Sequence, residues 1–426
     1  HISIFIGMLV GSLGGTILQL SGAEPTTIES IVSYVKPIGD IFLRMIFMMV
    51  IPLLISGLAL GVADLGDLKK IGRIGLITLA FSAVITGISV LIGIGMAEVF
   101  QPGGSISIAD RDILIQKYSS NSAEVAKTVS TLQSDNFVQT LVNIIPRNPF
   151  EDMANVFEPG YKGGGVLSIM FFGLIVGIAL SLSNQERTHT FKRFLEGLYD
   201  IVMIGINIAM KFAPIGVAAL LFTLAARLGY SIFEVLLNYV LVVIGALAIH
   251  QFVTYSLLLK FACKMNPLEF FRNIREVMLT AFTTSSSNVT LPTSIRVTQE
   301  KLGFPKEITN FVLTIGSTAN QNGTALYEGI TVLFLAQCFG IPLDFMSQVF
   351  VVLICVLSGI GTAGVPGASL PIIMLILVTI GIPGESIAII YGVDRILDMS
   401  RTVVNVSGDI VATAYVSKME EKYAKG

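Results

Sequence analysis

A run of charged and polar residues interrupts the last long apolar segment of the chain, between residues 394 and 409. Five of these side chains are spaced by four, three, four and four residues, which at about 100° per residue places them on one narrow helical stripe. They are Asp394, Asp398, Arg401, Asn405 and Asp409. The segment is long enough to cross a bilayer, where four unpaired charges would cost on the order of 10 kcal/mol. We therefore expect these charges to pair with one another or with a ligand, and two carboxylates beside a guanidinium suit a zwitterion that carries an extra negative charge.

Composition indicates a protein that crosses the membrane several times. Of the 426 residues, 53% are hydrophobic, 13% are charged and 41 are glycine. The formal net charge of −2 gives no reason to expect a nucleic-acid partner, whereas membrane lipids are expected neighbours. Cys263, Cys338 and Cys355 lie in or beside apolar segments without metal-ligand spacing, so we predict buried thiols. The sequence supports neither an enzyme nor an organic cofactor, because it contains no nucleophile with a matching base and no closed set of metal ligands.

The apolar segments predict an all-α polytopic membrane protein with eight transmembrane helices and two re-entrant helical hairpins. The spans are predicted near residues 1–20, 36–64, 72–99, 134–183, 192–228, 231–262, 307–340 and 385–417. The hairpins are predicted at residues 267–302 and 346–383, where small and polar residues followed by proline divide an apolar stretch into two arms. Each arm is too short to cross about 30 Å of hydrocarbon. Two such segments in the second half of a chain are typical of inverted repeats around a binding site at mid-membrane.

Basic residues predict the orientation of the spans. Lysine and arginine are concentrated around residues 69–73, 187–193 and 260–275, so these connections are predicted to be cytoplasmic. The polar stretch 101–133 is then an external loop. The first hairpin enters from the cytoplasmic side and the second from outside. The lack of cysteines in the predicted external segments favours the inner cell membrane of a prokaryote.

The seventh span contains the third interruption. Its Asn-Gln-Asn-Gly run, from Asn320 to Gly323, should unwind the helix, because glycine and amide side chains disfavour helical backbone. Unwound carbonyls at mid-membrane are suitable ligands for a small monovalent cation, and Asn320, Asn405 and Asp409 would add side-chain oxygens. Glu328, deeper in the same span, is a candidate proton carrier. The alternative for Glu328 is a static, hydrogen-bonded carboxyl group.

These motifs resemble those of the glutamate transporter family, the dicarboxylate and amino-acid:cation symporters that include archaeal aspartate transporters and excitatory amino-acid transporters. The resemblance is carried by Ser285–Ser287 with Leu291-Pro292, by Asn320–Thr324, by Gly361–Gly367 and by Asp394–Asp409. It covers the second half of the chain, whereas the first half matches only in its pattern of spans.

The resemblance implies a homotrimer that works by an elevator movement. A transport domain in each protomer would slide past a fixed trimerisation scaffold. The scaffold would comprise residues 1–64 and 134–228, and the transport domain residues 65–100 and 229–426.

The resemblance also implies roles for individual residues. Arg401 would hold the side-chain carboxylate of the substrate, Asp398 its ammonium group, and Asn405 with Thr402 its main carboxylate. The pocket would be completed by Thr324 and by the backbone at Ser285, Ser287, Val365 and Ser369, with the second hairpin around Gly364 as the gate. An Asp398 without a cationic partner would reject ligands that lack an amine. Aspartate or glutamate is therefore favoured over a plain dicarboxylate.

Departures from the family pattern concern the coupling ion. Sodium-driven members usually have Asn-Met-Asp-Gly-Thr where this chain has Asn320-Gln321-Asn322-Gly323-Thr324. Asn322 replaces a carboxylate that would neutralise sodium, and Gln321 replaces a methionine that links substrate and ions. The partners of that sodium in the third span would fall near Ser82, Ile85 and Thr86, so this site is expected to be dismantled. Ligands for two other cation positions are retained: Gly316, Asn320, Asn405 and Asp409 for one, and the backbone at Thr318, Gly359, Ile360 and Thr362 for the other.

Glu328 matches the position of the proton-carrying glutamate of the animal transporters. Arg395, together with Ser285, indicates that a basic group near the site has moved out of the first hairpin. We therefore hypothesise uptake of acidic amino acids driven mainly by protons, with weak or absent sodium dependence. The alternatives are a sodium-coupled aspartate symporter, a C4-dicarboxylate symporter, and a channel or sensor that binds its ligand without concentrating it.

Overall fold

The computed structural model describes residues 2–64, 73–118, 142, 145–155, 165–229, 231–361 and 369–424. This described part is helical and contains no strand, which confirms the all-α prediction. The helices are α1 Ile2–Leu20, α2 Pro25–Phe47, α3 Val50–Asp64, α4 Arg73–Phe100, α5 Ile108–Tyr118, α6 Pro149–Asn155, α7 Gly165–Leu182, α8 Gln185–Leu228, α9 Ser231–Ile249, α10 Pro267–Thr284, α11 Ser287–Glu300, α12 Lys306–Ala319, α13 Asn322–Phe339, α14 Phe345–Gly361, α15 Leu370–Thr379 and α16 Ala388–Ala424. Helix α9 continues through two π-helical turns, His250–Thr254 and Leu258–Ala262, on either side of Tyr255–Leu257.

Several helices are suited to a bilayer by length and composition. Four segments of the described chain are long and apolar enough to cross it: Pro25–Ala63, Arg73–Phe100, Glu186–Leu228 and Ile232–Ala262. By length and composition, each of these segments is suited to cross a membrane. The predicted total of eight spans stays a prediction.

Two helices begin earlier than the hydropathy pattern predicts. The second span was expected from residue 36, but α2 starts at Pro25, because residues 26–36 are polar on one face only and bury Val32 on the other. The fifth span was expected from residue 192, but α8 starts at Gln185. Asn184 caps this helix, since its side-chain oxygen accepts a hydrogen bond from the Glu186 backbone N–H at 2.9 Å. The predicted external loop, residues 101–133, contains α5.

The stretch predicted as the first hairpin folds into two helices joined by a tight turn, while its re-entrant position in a membrane stays a prediction. Helix α10 ends at Ser285, whose backbone is left-handed with φ 51° and ψ 33°. The Ser286 hydroxyl then caps α11 by accepting from the Val289 N–H at 3.3 Å. The arms of the second hairpin are α14 and α15, and its tip, residues 362–368, lies outside the described residues. The seventh span is interrupted as predicted, at Asn320 and Gln321 between α12 and α13.

One group of helices packs around α8, which contacts α1, α2 and α3, while α7 packs on α3. Small residues bring α1 against α8. A Cβ atom added at Gly7, Gly11 or Gly15 would lie 2.1–2.4 Å from a carbonyl oxygen of α8. Those oxygens belong to Pro214, Ala218 and Phe222. Matching steps of four residues in both helices show that they run parallel at a close approach, the arrangement that small residues permit in membranes.

A second group of helices surrounds α13, and nearly every side chain of α13 is buried. Helices α4, α9, α14 and α16 pack on it, and α16 in turn contacts α10, α11 and α12. Aromatic rings close the interface with α9, where Tyr239 stacks on Phe334 with centroids 4.4 Å apart. The two groups meet where α16 touches α8 and α14 touches α3. Helix α13 is therefore the buried central helix of this group.

Replacing Gly11 by valine should destabilise the protein. The new side chain would meet the backbone of α8, and such overpacking typically costs about 1–3 kcal/mol. We expect a lower melting temperature in detergent, measured by the loss of monodisperse protein on heating. Gly87→Ala in α4 is the matched control, because nothing lies within 4 Å of a Cβ atom there. Equal melting temperatures for Gly11→Val and the unmodified protein would contradict the close packing of α1 on α8.

Candidate functional site

Three side chains of α16 form a buried charge cluster. Arg401 donates to Asp398 Oδ1 from Nη2 at 2.7 Å and from Nε at 3.0 Å. Its Nη1 lies 3.4 Å from Asp394 Oδ1. Each of these residues is at most 5% exposed. The pairing expected from the stripe is thus confirmed for three of its members.

A second guanidinium belongs to this cluster. Arg395 is 4% exposed and donates from Nη1 to Asp398 Oδ2 at 2.9 Å. Both oxygens of Asp398 therefore accept from arginine, and two carboxylates balance two guanidiniums. Asp398 is therefore paired before any ligand binds, because Arg395 precedes it by three residues and reaches it along the same helical face.

An aromatic side chain of α13 closes the cluster from the other side. The Tyr327 hydroxyl donates to Asp394 Oδ1 at 2.7 Å. The guanidinium carbon of Arg401 lies 4.3 Å from the centre of the Tyr327 ring, a cation–π contact. The Tyr239 hydroxyl in turn lies 2.7 Å from Thr331 Oγ1, one turn beyond Tyr327. Tyr327 therefore fixes both Asp394 and Arg401 against the central helix.

The start of α13 is capped from α16 rather than from its own sequence. The first N–H groups of a helix have no partner within it. Asn405 Oδ1 accepts from the backbone N–H of Gly323 at 2.7 Å and of Thr324 at 3.3 Å. Its Nδ2 lies 2.6 Å from Gln321 Oε1 and 3.0 Å from Thr324 Oγ1. The Asn405 side chain thus supplies a hydrogen-bond acceptor for two backbone N–H groups at the interruption. The Gln321 side chain also donates from Nε2 to the Ser317 backbone carbonyl at 2.9 Å.

Asp409 lies against the end of α12. Asn320 donates from Nδ2 to Asp409 Oδ1 at 2.8 Å, whereas Asn320 Oδ1 is buried and has no partner in the described chain. Gly316 is required here, because a Cβ atom would lie 2.5 Å from Asp409 Oδ1. Among the described residues, no lysine or arginine pairs with Asp409. A buried carboxylate next to an unpartnered amide oxygen has the chemistry to hold a small cation.

Glu328 connects α13 with the second hairpin. It is completely buried, and its Oε2 is hydrogen bonded to the hydroxyl of Ser358 in α14. The same hydroxyl lies 2.9 Å from the Cys355 carbonyl oxygen, while Glu328 Oε1 has no partner within the described residues. A serine hydroxyl has one proton to donate, yet two acceptors flank it here. A neutral Glu328 that donates to Ser358 leaves the Ser358 proton for Cys355, so the neutral form fits all three groups.

Asn322 faces a hydroxyl-rich environment rather than a charge. Its backbone carbonyl oxygen accepts from Ser89 Oγ of α4 at 2.8 Å, whereas Oδ1 and Nδ2 of its side chain are buried and have no partner in the described chain. A Cβ atom at Gly408 would lie 2.5 Å from the Tyr255 hydroxyl and about 3 Å from the Asn322 amide, so Gly408 makes room for both. Ser82, Ile85 and Thr86, expected near this position, are all buried on α4.

Some residues predicted for the substrate pocket have buried side chains beside these groups. Ser285, Ser287 and Ser369 are each at most 3% exposed, and the hydroxyls of Ser285 and Ser369 have no partner within the described chain. Helices α10 and α11 pack on α16, and α15 packs on α13. Both hairpins therefore contribute polar groups to the interior.

Other predicted residues have different surroundings. Thr402 donates to the Asp398 carbonyl of its own helix at 2.8 Å, and the exposed Thr318 donates to Ile315 O at 3.0 Å. A Cβ atom at Gly359 would lie 3.8 Å from the Gln321 carbonyl oxygen, so α14 ends beside the break. Ile360 follows in the last turn of α14. Thr362, Gly364 and Val365 lie outside the described residues.

The sequence interpretation missed three contacts of these groups. Tyr327, Ser89 and Ser358 contact Asp394, Asn322 and Glu328, respectively. A partial signal existed for Tyr327, because Gly323, Tyr327 and Thr331 recur every four residues on one face of α13. Ser89 and Ser358 are single serines in apolar helices, which no local pattern distinguishes.

Comparison with known proteins agrees with the motifs. The sequence profile of the sodium:dicarboxylate symporter family matches residues 1–419. A proton/sodium-glutamate symport protein of Bacillus caldotenax is 35% identical over 421 residues, which cover 99% of this chain and 94% of the relative. A proton/glutamate-aspartate symporter of Escherichia coli is 33% identical, with 99% and 92% covered. An excitatory amino acid transporter of Caenorhabditis elegans is 29% identical, with 96% and 85% covered.

Replacing Asn405 by alanine should destabilise the break between α12 and α13. Two buried backbone N–H groups and the side-chain Oε1 of Gln321 would lose their partner, and each such group costs about 1–3 kcal/mol. We expect a clear drop in the midpoint of thermal unfolding in detergent. Asn207→Ala, on the exposed face of α8, is the matched control and should leave the midpoint unchanged. A drop no larger than that of the control would mean that Asn405 does not cap α13.

Proposed function

Since the chain belongs to the sodium:dicarboxylate symporter family, we propose that it is a secondary symporter that moves aspartate or glutamate across the cell membrane together with a cation. The observation that carries this proposal is the buried cluster of Asp394, Asp398 and Arg401. Charges at such depth are costly unless they pair or serve transport. The curated relatives named above, proton/sodium-glutamate and proton/glutamate-aspartate symporters, support the same substrate class.

Substrate binding would exchange partners within the cluster. Arg401, with its forked donors, would turn from Asp398 to the side-chain carboxylate of the substrate, since guanidinium and carboxylate pair in a bidentate manner. The ammonium group of the substrate would take the Asp398 oxygen that Arg401 releases. Thr324 and Asn405, which are far apart in sequence but joined by a hydrogen bond of 3.0 Å, would receive the main carboxylate. Ser285, Ser287, Ser369 and Thr402 would line the pocket, with Val365 at the gate.

Glu328 is the proposed proton carrier. Its carboxyl group has no charged partner among the described residues, and an ionised form would leave Oε1 buried without a donor. The hydrogen bond to Ser358 links the proton to the arm of the second hairpin. Proton release would therefore disturb the contact between α13 and α14 and couple protonation to movement of the gate.

Sodium coupling is the second candidate, and Asp409 favours it. Among the described residues the Asp409 carboxylate pairs with the Asn320 amide and not with a cationic side chain, and Asn320 Oδ1 is buried without a partner. A monovalent cation would be bound as cargo by Asp409 and Asn320 with carbonyl oxygens of Gly316 and Asn405. The substitution of Asn322 argues against a further, deeper sodium position.

The movement that carries the substrate is proposed to be an elevator within a homotrimer. The group of α1, α2, α3, α7 and α8 would be the fixed scaffold, and the group around α13 would slide. The contacts of α16 with α8 and of α14 with α3 would be the surfaces that slide past each other. Trimer contacts would use the scaffold.

We expect concentrative uptake of radiolabelled L-aspartate or L-glutamate into proteoliposomes under an inward proton gradient without sodium. We expect this because Glu328 matches the proton-carrying position of the animal transporters and because Asn322 replaces a carboxylate that would neutralise sodium. The measurement compares an inward proton gradient, an inward sodium gradient, and no gradient. Accumulation that requires sodium would assign coupling to Asp409 and Asn320. Uptake that never exceeds equilibrium would contradict a symporter and favour a channel or sensor.

Glu328→Gln should abolish proton-driven accumulation but retain exchange of substrate between the two sides. Glutamine keeps the donor that Ser358 accepts from, yet it cannot release a proton. The measurement is counterflow alongside gradient-driven uptake in the same vesicles. Glu234→Gln, at an exposed position in the first turn of α9, is the matched control and should accumulate substrate normally. Full proton-driven accumulation by Glu328→Gln would show that Glu328 is structural.

A further inference from the structure

We propose that a groove between the end of the α9 continuation and the start of α10 binds an anionic phospholipid. The groove has a volume of about 530 Å³. None of the residues that line it belongs to the buried charge cluster of α16 or to the polar groups around Asp409. Its walls include Phe252, Ser256, Lys260, Asn266, Leu268 and Phe271.

The π-helical turns that follow α9 shape one wall of the groove. In a regular α-helix, a step of four residues turns about 40° past a full circle. A π turn includes one more residue, so the turns His250–Thr254 and Leu258–Ala262 offset this drift. Phe252, Ser256 and Lys260 therefore line the same groove, although the first and the last are eight residues apart.

The start of α10 supplies the opposite wall. The connection from the last π turn includes Lys264, whose backbone is left-handed with φ 56°. The Met265 backbone N–H bonds to the Leu259 carbonyl at 2.9 Å. Phe271 of α10 then packs edge to face against Phe252, with ring centroids 5.4 Å apart. Helix α10 therefore folds back along the π-helical segment, and the two rings form an apolar end of the groove.

Three side chains of the groove have hydrogen-bond donors without an acceptor in the described chain. The Lys260 ammonium group has no carboxylate partner there and lies 5.7 Å from the centre of the Phe261 ring. The Ser256 hydroxyl does not bond to a carbonyl of its own helix, as helical serines often do. Asn266 accepts from the Leu268 N–H at 3.0 Å through Oδ1, and its Nδ2 has no acceptor. An ammonium group, a hydroxyl and an amide that can all donate suit a phosphate group.

The charges around the groove favour an anionic ligand at a membrane surface. The apolar segment Ile232–Ala262, which is long enough to cross a membrane, ends at the groove. Lys264, Arg272 and Arg275 are exposed close by in sequence and have no carboxylate partner in the described chain. No carboxylate lines the groove. Basic clusters next to a membrane span on the predicted cytoplasmic side are typical of sites for anionic lipid headgroups.

The apolar wall favours a phospholipid over a free phosphate ester. Phe252 is 53% exposed and Leu268 is 82% exposed, and both line the groove. An acyl chain along this wall would remove apolar surface from contact with water and headgroups, which is favourable. A groove of this size holds the headgroup and the first part of one chain, while the rest of the lipid stays in the bilayer.

The test measures lipid binding to the detergent-solubilised protein by native mass spectrometry. The protein is titrated with phosphatidylglycerol or with phosphatidylcholine of the same acyl chains, and we expect tighter binding of phosphatidylglycerol. Lys260→Gln should weaken the binding of phosphatidylglycerol about fivefold, because a lysine near an anionic surface contributes about 1 kcal/mol. Lys306→Gln, at the exposed start of α12, is the matched control and should bind like the unmodified protein.

A second variant tests the groove without changing its charge. Ser256→Leu places a larger side chain between the two walls and should also weaken the binding of phosphatidylglycerol. An excess of glycerol 3-phosphate, which has the phosphate but no acyl chain, should not displace the lipid.

Several results would overturn the proposal. Equal affinity for the two lipids in the unmodified protein would show that the groove does not select an anionic headgroup. Unchanged affinity in Lys260→Gln or in Ser256→Leu would place the lipid elsewhere. Displacement by glycerol 3-phosphate would indicate a site for free phosphate esters. Should one variant fail to yield folded protein, the comparison of the two lipids and the other variant still decide the matter.

Discussion

The structure depends on neutralising buried charge along a single helix. Helix α16 has four charged residues within two turns, and each finds an opposite charge on the same helix: Arg395 and Arg401 flank Asp398, and Arg401 also reaches Asp394. A helix that cannot leave its charges in hydrocarbon must be surrounded by protein. Helices α10, α11, α12 and α13 supply that cover. The packing of the second half of the chain follows from this requirement.

The break between α12 and α13 is the second consequence. A helix interrupted inside a membrane leaves backbone groups that water cannot reach, so they need partners from elsewhere in the fold. Asn405 meets that need from α16, Asp409 accepts from the side-chain amide of Asn320, and glycines at 316 and 323 allow the approach. The residues that compensate the break also extend the polar stripe. Stability of the interruption and chemistry of the site therefore share the same side chains.

Local patterns predict much of this arrangement. The stripe spacing predicts that Asp394, Asp398 and Arg401 are close, the amide run predicts the interruption at Asn320 and Gln321, and the serine cluster predicts the turn at Ser285. Contacts between distant segments are not encoded in any short pattern. The pairing of Arg395 with Asp398, three residues later, follows from helical spacing and was overlooked, whereas nothing near Tyr327 or Ser358 in the sequence indicates which carboxylate each will meet. The starts of α2 and α8 were misplaced for a related reason, because an amphipathic first turn is not apolar enough to register as a span.

Helix α16 also fixes the distance between the two ends of the polar stripe. Asp398 and Asp409 are eleven residues apart on it, a separation of about 16 Å at 1.5 Å per residue. An uninterrupted helix does not shorten or lengthen when one of its side chains changes partner. The two non-helical residues Asn320 and Gln321 are hydrogen bonded to Asp409 and Asn405, respectively. A change of partner at one end of the stripe therefore reaches the other end through these two residues. This interruption joins Asp409 to Asn405 through two non-helical residues, so its stiffness bears on how strongly the occupancy of one end of the stripe is felt at the other.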